Sequence, residues 1–315
     1  MALNWGIAIG MVLLAIHPLK FMVQNHPYYY LYYNEIAGGL QSAYGNYETD
    51  YYYHSMREGA EWLINELKKM GFKMLLWVQN FSIAWFLRKE KNYTYKYFAW
   101  DKRCETDWDY AVIGNSYISP YQLKQKLWPP KNAIQVVYAD SVPVCAVLKR
   151  DNKLDLEGIK ALKSGNADIA VEMLKEAALS DSLNEVIYYY LAAALKKKDD
   201  IAACDSALFK SLEIQPGYEP SILMLGRNAE FKGDLIEAAK FYDRLIEVNP
   251  KFYIAYILRA KLYAASEVEM ARSTLKDCLK IHSKYKPAII ALADTYRESD
   301  PVIARKYDNL AKSIK

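Results

Sequence analysis

The chain has 315 residues, 52% of them apolar, with 41 basic and 37 acidic side chains and a formal net charge of +4. That length implies two or three domains, because single cores stop growing at roughly 250–300 residues. Residues 151–315 hold 25 Lys+Arg and 25 Asp+Glu, and residues 54–150 hold 15 and 9. No basic run approaches a nucleic-acid footprint, so nucleic acid is not an expected partner.

Residues 1–25 are expected to form a transmembrane helix. From Ala2 to Ile16 the only polar side chain is Asn4, and after His17, Pro18 and Lys20 the apolar character resumes at Phe21, Met22 and Val23. As a helix, Leu3 to Val23 is 21 residues, about the length that crosses a bilayer. Lys20 can snorkel and Trp5 can sit at the opposite interface. A cleavable signal peptide fits less well, since neither a basic n-region nor a small-x-small cleavage site is present. A buried helix of a soluble protein is the other alternative.

Residues 26–53 form a tyrosine-rich juxtamembrane segment, in which ten of the chain's 28 tyrosines lie between Tyr28 and Tyr53. Tyrosine suits a membrane boundary, where the ring meets lipid and the hydroxyl stays wet. It equally suits the aromatic core of a following domain. His26-Pro27-Tyr28, Tyr32-Tyr33-Asn34-Glu35, Gly38-Gly39, Ala43, Gly45, Glu48, Asp50-Tyr51, Ser55, Glu58 and Trp62 resemble the segment after the last transmembrane helix of bacterial membrane glycosyltransferases of the dolichyl-phosphate-mannose-protein mannosyltransferase-like type. The similarity extends weakly to about Arg150, through Asp109–Ile113 and Val142–Val144. It implies a polyprenyl-phosphate-sugar context and a region outside the cytoplasm. It brings no catalytic residue, because that family's acidic residues lie on a loop of a multi-span domain that nothing here matches.

Residues 54–150 are expected to form a small α/β domain. His54–Met70 has helical spacing with Gly71 as its stop, Lys73–Val78 is a short apolar strand, Phe81–Lys89 a helix, and Tyr93–Trp100 and Tyr110–Ile113 strands. Pro120–Leu127 has proline in a first helical turn, and Ala133–Ala139 and Val142–Leu148 make a hairpin around Asp140-Ser141. Asp101, Glu105, Asp107 and Asp109 cluster near Cys104, but Lys102 and Arg103 interrupt them and no calcium-loop pattern is present, so a solvated loop is expected. Gly114-Asn115-Ser116 lacks a glycine-rich phosphate motif around it. His17, His26, His54 and His282 contain no pair at metal-ligand spacing, so no metal and no cofactor is expected. Cys204 and Cys278 occupy small-residue packing positions, whereas Cys104 and Cys145 could pair if their domain lies outside the cytoplasm.

Residues 151–315 are repetitive. Ser182, Pro216, Pro250 and Ser283 step by 34, 34 and 33, as do the small residues Ala170, Cys204, Ala238 and Ala271 twelve positions before them. In the unit from Glu219 to Pro250, Ile222, Leu225, Gly226 and Ala229 line one helix face. Gly233-Asp234 breaks the chain, and Ala238, Tyr242 and Leu245 line a second helix. Tyr188, Leu191, Ala192, Leu195, Cys204, Leu208 and Ser211 repeat the pattern one unit earlier. These positions resemble tetratricopeptide (TPR) repeats, which implies about five stacked helical hairpins in a right-handed α-solenoid that binds other proteins. The last unit, with Lys306, Asp308, Lys312 and Lys315, is expected to be a polar cap.

The expected fold is therefore mainly α: a C-terminal TPR α-solenoid behind a small α/β domain and one N-terminal transmembrane helix. The expected function is a membrane-anchored scaffold without a catalytic site, in the bacterial inner membrane with its C-terminal region periplasmic. The alternative is the non-catalytic tail of a polyprenyl-phosphate-sugar-dependent membrane glycosyltransferase, whose partner would be a multi-span transferase. Tyr189, Asn228, Tyr256, Arg259 and Arg297, on first helices but mostly off the core stripe, are the candidate contacts for a protein partner in the concave groove.

Overall fold

The computed structural model describes residues 2–33, 38–50, 52–70, 75–78, 94–97 and 99–314. The expected helix Phe81–Lys89 and its preceding residues, the stop at Gly71, the Asn34-Glu35 pair and Lys315 lie outside the described residues. The chain divides into two compact units, Met1–Ile187 and Tyr188–Lys315.

The first unit begins with helix α1 (Ala2–Gln24). Among the described residues its side chains from Trp5 through Val23 are largely exposed and Phe21 is the buried one, edge-on to Tyr32 with ring centroids 5.4 Å apart. After a short α2 (Gly39–Ala43) come α3 (His54–Met70), β1 (Leu75–Val78), β2 (Thr94–Tyr97) and β3 (Tyr110–Gly114), and α3 packs on β3 and on the two strands that follow it. α4 (Pro120–Lys124) then leads to β4 (Ala133–Ala139) and β5 (Val142–Lys149). The strand order is β2-β1-β3-β5-β4, with β1 parallel to β2 and β3, and β5 antiparallel to β3 and β4. Asp140 and Ser141 both take positive φ, 45° and 61°, the backbone that a two-residue hairpin turn demands.

Period-two alternation divides the sheet between two cores. Tyr110 and Val112 face α3 with Met56, Leu63 and Leu67, whereas Ala111 and Ile113 face Trp108, Leu123 and Trp128. β3 is buried on both faces, which explains its continuous apolar sequence. Gly59 lets α3 sit close, since a β-carbon there would lie 3.2 Å from the Cys145 sulfur.

The hairpin α5 (Leu154–Lys163) and α6 (Ala167–Ser180) belongs to this same unit, within which the chain stays compact to Ile187. Arg150 pairs with Asp155 at 2.6 Å, Lys153 with Asp107 at 2.6 Å and Asp109 at 3.1 Å, and Lys163 with Glu105 at 2.9 Å. The acidic cluster of 101–109 thus spends three of its carboxylates on lysines of the loop before α5 and of α5 itself.

Helix α7 (Glu185–Lys197) leads into the second unit, which continues with α8 (Ile201–Ile214), α9 (Glu219–Phe231), α10 (Leu235–Val248), α11 (Tyr253–Tyr263), α12 (Val268–Ile281), α13 (Lys286–Tyr296) and α14 (Pro301–Ser313). α9 packs on α10, α11 on α12 and α13 on α14, while α10 on α11 and α12 on α13 join successive hairpins. This nearest-neighbour packing is the stacked-hairpin architecture. Turns follow the expected chemistry: Gly233 takes φ 79°, and Asp234 accepts a hydrogen bond from the Glu237 amide at 3.0 Å. Asp200 and Asp300 cap α8 and α14 in the same way. Lys306 and Lys312 are exposed on the last helix, whereas Asp308 accepts from Arg297 at 3.2 Å.

Candidate functional site

The five expected groove residues occupy dissimilar places. Tyr189 is half-buried on α7, with its ring 5.2 Å from Tyr190 and 5.9 Å from Tyr218. Asn228 is 1% exposed: its carbonyl oxygen accepts from Lys196 at 2.6 Å and its amide donates to Asp205 at 2.6 Å. Tyr256 is 5% exposed within the core of Ile257, Ala260, Leu275 and Leu292. Arg259 reaches Asp243 on α10 and Thr274 on α12, and lies 5.3 Å over the Tyr263 ring. Arg297 is exposed and pairs with Asp294 at 2.7 Å.

Asn228 and Tyr256 therefore present no surface to a partner, and Arg259 ties three helices together. The reason is geometric: a first helix meets its own partner helix and also the preceding hairpin, so positions beside the core stripe are covered too. Arg272 was not singled out by sequence, yet it is the most engaged arginine of this unit. It is buried, donates to the Thr295 carbonyl at 2.6 Å and to Ser299 Oγ at 2.5 Å, and lies 3.8 Å over Tyr296.

The tyrosine-rich segment resolves into core and surface. Tyr28 and Leu31 are buried in the α3-side core, Tyr30, Tyr32, Tyr33, Tyr44 and Tyr53 pack against it, and Tyr29, Tyr47 and Tyr52 are exposed. Tyr28 donates to Glu58, and Tyr30 and Ser55 both donate to Asp50. Burial, then the carboxylate each phenol touches, pushes Tyr28 and Tyr30 above the usual phenol range. Burial likewise pushes the Asp50 carboxyl up, against the lowering effect of its Ser55 and Tyr30 donors. Asn115, flagged in the loop after β3, is buried and donates to Thr49 Oγ1 at 2.6 Å. Cys104 and Cys145 are free, each buried where burial pushes its thiol up, so the possible disulfide does not form.

The first unit also holds a cavity of about 120 Å³ that sequence reading missed. Its floor is built on Arg103, buried in the turn Trp100–Lys102 and the residues after it. Arg103 donates to Asn184 at 2.9 Å, Glu185 at 2.8 Å and the Trp100 carbonyl at 3.0 Å, and its guanidinium lies 4.3 Å over the Trp100 ring. Burial opposes its charge, but the Glu185 carboxylate outweighs burial and holds it protonated. Gln122 also donates to Glu185, at 3.1 Å. Arg150 lies 5.0 Å over Trp108, whose indole N–H donates to the Arg103 carbonyl at 2.9 Å. Asp181, raised by burial against the lowering effect of Asn184, accepts from that amide at 2.8 Å.

Trp128 lines the cavity beside Trp100 and Trp108, and the buried Nε1–H groups of Trp100 and Trp128 donate to no acceptor among the described residues. A buried donor left unmatched costs about 1–3 kcal/mol. The sequence signal is three tryptophans at 100, 108 and 128 among arginines and carboxylates.

No family model and no curated protein matches this chain. Among solved structures, MamA 41-end from Desulfovibrio magneticus RS-1 has a TM-score of 0.44 at 16% identity, covering 51% of this chain and 92% of that one. A crystal structure of MamA has a TM-score of 0.44 at 18% identity, covering 49% and 92%. Both scores lie below 0.5, so the hairpin architecture rests on this chain's own packing.

Proposed function

We propose that the chain is a membrane-anchored scaffold that holds a protein partner on its helical repeats and has no catalytic role. The carrying observation is α1: the stretch Trp5–Gln24 is 20 residues long, apolar enough in composition to cross a bilayer, and almost entirely unburied. Beside it, the hairpins offer exposed apolar side chains, with Phe231 78% and Ile236 76% exposed at the tip between α9 and α10. Tyr189 and Arg297 complete the candidate contact set, and Asn228, Tyr256 and Arg259 act inside the array.

The test uses the full chain carrying a photo-crosslinking residue at Ile236, Phe231, Tyr189 or Arg297 in turn, irradiated in native membranes. A discrete protein adduct at one or more of these positions, with none at Lys306, supports the reading. Adducts to lipid alone, or none at any position, overturn the partner assignment.

A second reading follows the resemblance of residues 1–150 to the tail of a polyprenyl-phosphate-sugar glycosyltransferase. What favours it is that the segment carrying most of that resemblance is folded into the α/β core through Tyr28–Glu58 and Tyr30–Asp50. It expects a multi-span membrane protein to co-purify through residues 1–150 and the region after α1 to be protease-sensitive only from the periplasmic side. Protection from that side excludes it.

A further inference from the structure

Resting on the reading of α1 as a membrane anchor, we infer that a ladder of aromatic rings on the first unit is a bilayer-contact surface, which seats the α/β domain on the lipid headgroups. The ladder runs from the end of α1 to the start of α3. His26 stacks on Tyr29 with ring centroids 6.5 Å apart, Tyr29 meets Tyr30 edge-on at 6.3 Å, and Tyr30 meets Tyr52 at 5.3 Å and His54 at 5.2 Å. His26 and His54 are exposed, as are Tyr29 at 51% and Tyr52 at 63%. Tyr30 is half-buried and fixes the row to the domain by donating to Asp50.

What covers the ladder follows from how α1 joins the domain. Phe21, in the last turn of α1, is buried in the α3-side core, whereas Met22 and Val23 beside it are exposed. The Asn25 side chain accepts from the Asp140 backbone N–H at 2.6 Å, the Tyr28 N–H donates to the Asn25 carbonyl at 2.5 Å, and the short turn Tyr29–Leu31 packs on α1. The helix is therefore keyed into the domain rather than tied to it by a loose tether, and the ladder keeps a fixed place beside the helix end. Phe21 lies inside the apolar stretch Trp5–Gln24, so insertion of that stretch draws the domain down to the headgroup layer. Tyrosine and histidine rings combine an apolar body with a polar tip, which suits that layer better than hydrocarbon or bulk water. A protein partner on the ladder would compete with the bilayer for the same place.

The test puts a fluorescent label on Tyr29→Cys or Tyr52→Cys of the full chain, reconstituted in phosphatidylcholine vesicles with and without a lipid carrying a nitroxide on its headgroup. The four native thiols are buried, so the introduced cysteine takes the label, and both tyrosines are exposed enough that their loss leaves the core intact. Flotation after alkaline carbonate extraction reports first whether α1 is inserted. In the floated protein the nitroxide lipid is expected to quench both labels by roughly half or more, since the quencher lies in the layer that the ladder occupies. A floated chain whose labels stay unquenched, or are shielded by a co-purifying protein instead, overturns the ladder contact and leaves the anchor standing. Equal quenching of a label at Lys160→Cys, exposed on α5, overturns it as well, because the contact is then not specific to the ladder. Failure to float overturns the anchor reading and the contact with it.

Discussion

Gly226 on α9 lies directly against the ring of Tyr242 on α10, so close that a β-carbon on the glycine would sit 2.6 Å from Cε1. Two repeats earlier, Gly158 meets Leu174 with the same sixteen-residue separation, and its β-carbon would lie 2.7 Å from Cγ. A small residue on the first helix and a large one on the second are therefore a single packing device used in more than one hairpin.

Substituting Gly226→Ala tests that device. Helix propensity alone favours alanine by about 1 kcal/mol, but the tyrosine ring must move, and overpacking costs about 1–3 kcal/mol. A lowered urea midpoint is expected, and Gly226→Ala combined with Tyr242→Leu, which makes room, should recover part of it. A raised midpoint for the single variant would show that the hairpin can open without cost.

Asn228→Ala should lower the unfolding midpoint by the equivalent of about 1–3 kcal/mol, because Lys196 and Asp205 lose their common buried partner. A surface contact residue would leave the midpoint unchanged. Thermal unfolding followed by circular dichroism separates the two outcomes.

The Arg103–Glu185 pair is buried on both sides, at 5% and 7% side-chain exposure. Glu185→Gln leaves the guanidinium uncompensated and is expected to cost about 3–5 kcal/mol, as is Arg103→Met from the other side. The double variant should cost clearly less than the sum, and a double-mutant cycle on denaturant midpoints measures the difference.

Asp50 has a pH signature of known sign. Its carboxyl is raised above the ordinary value of 3.8 in the folded chain, so the folded state holds the proton more tightly than the unfolded one. Its contribution is fully present below about pH 3.8 and is lost as pH rises through the folded value. Asp50→Asn should flatten this part of the stability profile, so the difference between wild type and variant shifts against the wild type as pH rises. Parallel profiles over that range would mean that Asp50 is not the group responsible.

Placing arginine at Leu13 and Leu14 in α1 should abolish association with liposomes in a flotation assay. Each charge at the centre of a spanning helix costs about 2.5–3.5 kcal/mol on insertion scales. Retained flotation would mean that the helix lies in the interface or is not the membrane contact.

The hairpins were legible from local rules. Their boundaries follow from apolar spacing, Gly233 and Asp234 at a turn, and small residues opposite large ones, all within about one repeat of sequence. The sheet was legible too, since the short apolar run Tyr110–Gly114 and the hairpin around Asp140-Ser141 are short-range signals. Legibility ended where burial depends on neighbours from other hairpins, as for Asn228, Tyr256 and Arg259, which sequence alone places on an open groove.

What the sequence by itself determined is thus the set of elements, an apolar helix at the start, and the repeating hairpin, because capping, helical period and close-packing glycines act over a few residues. Only the tertiary structure decided that the first hairpin joins the α/β unit and that Trp100, Trp128, Arg150 and Asp181 enclose one cavity. Those groups come from distant stretches of the chain. Their meeting is set by sheet topology and buried ion pairs such as Arg103–Glu185, which no local pattern encodes.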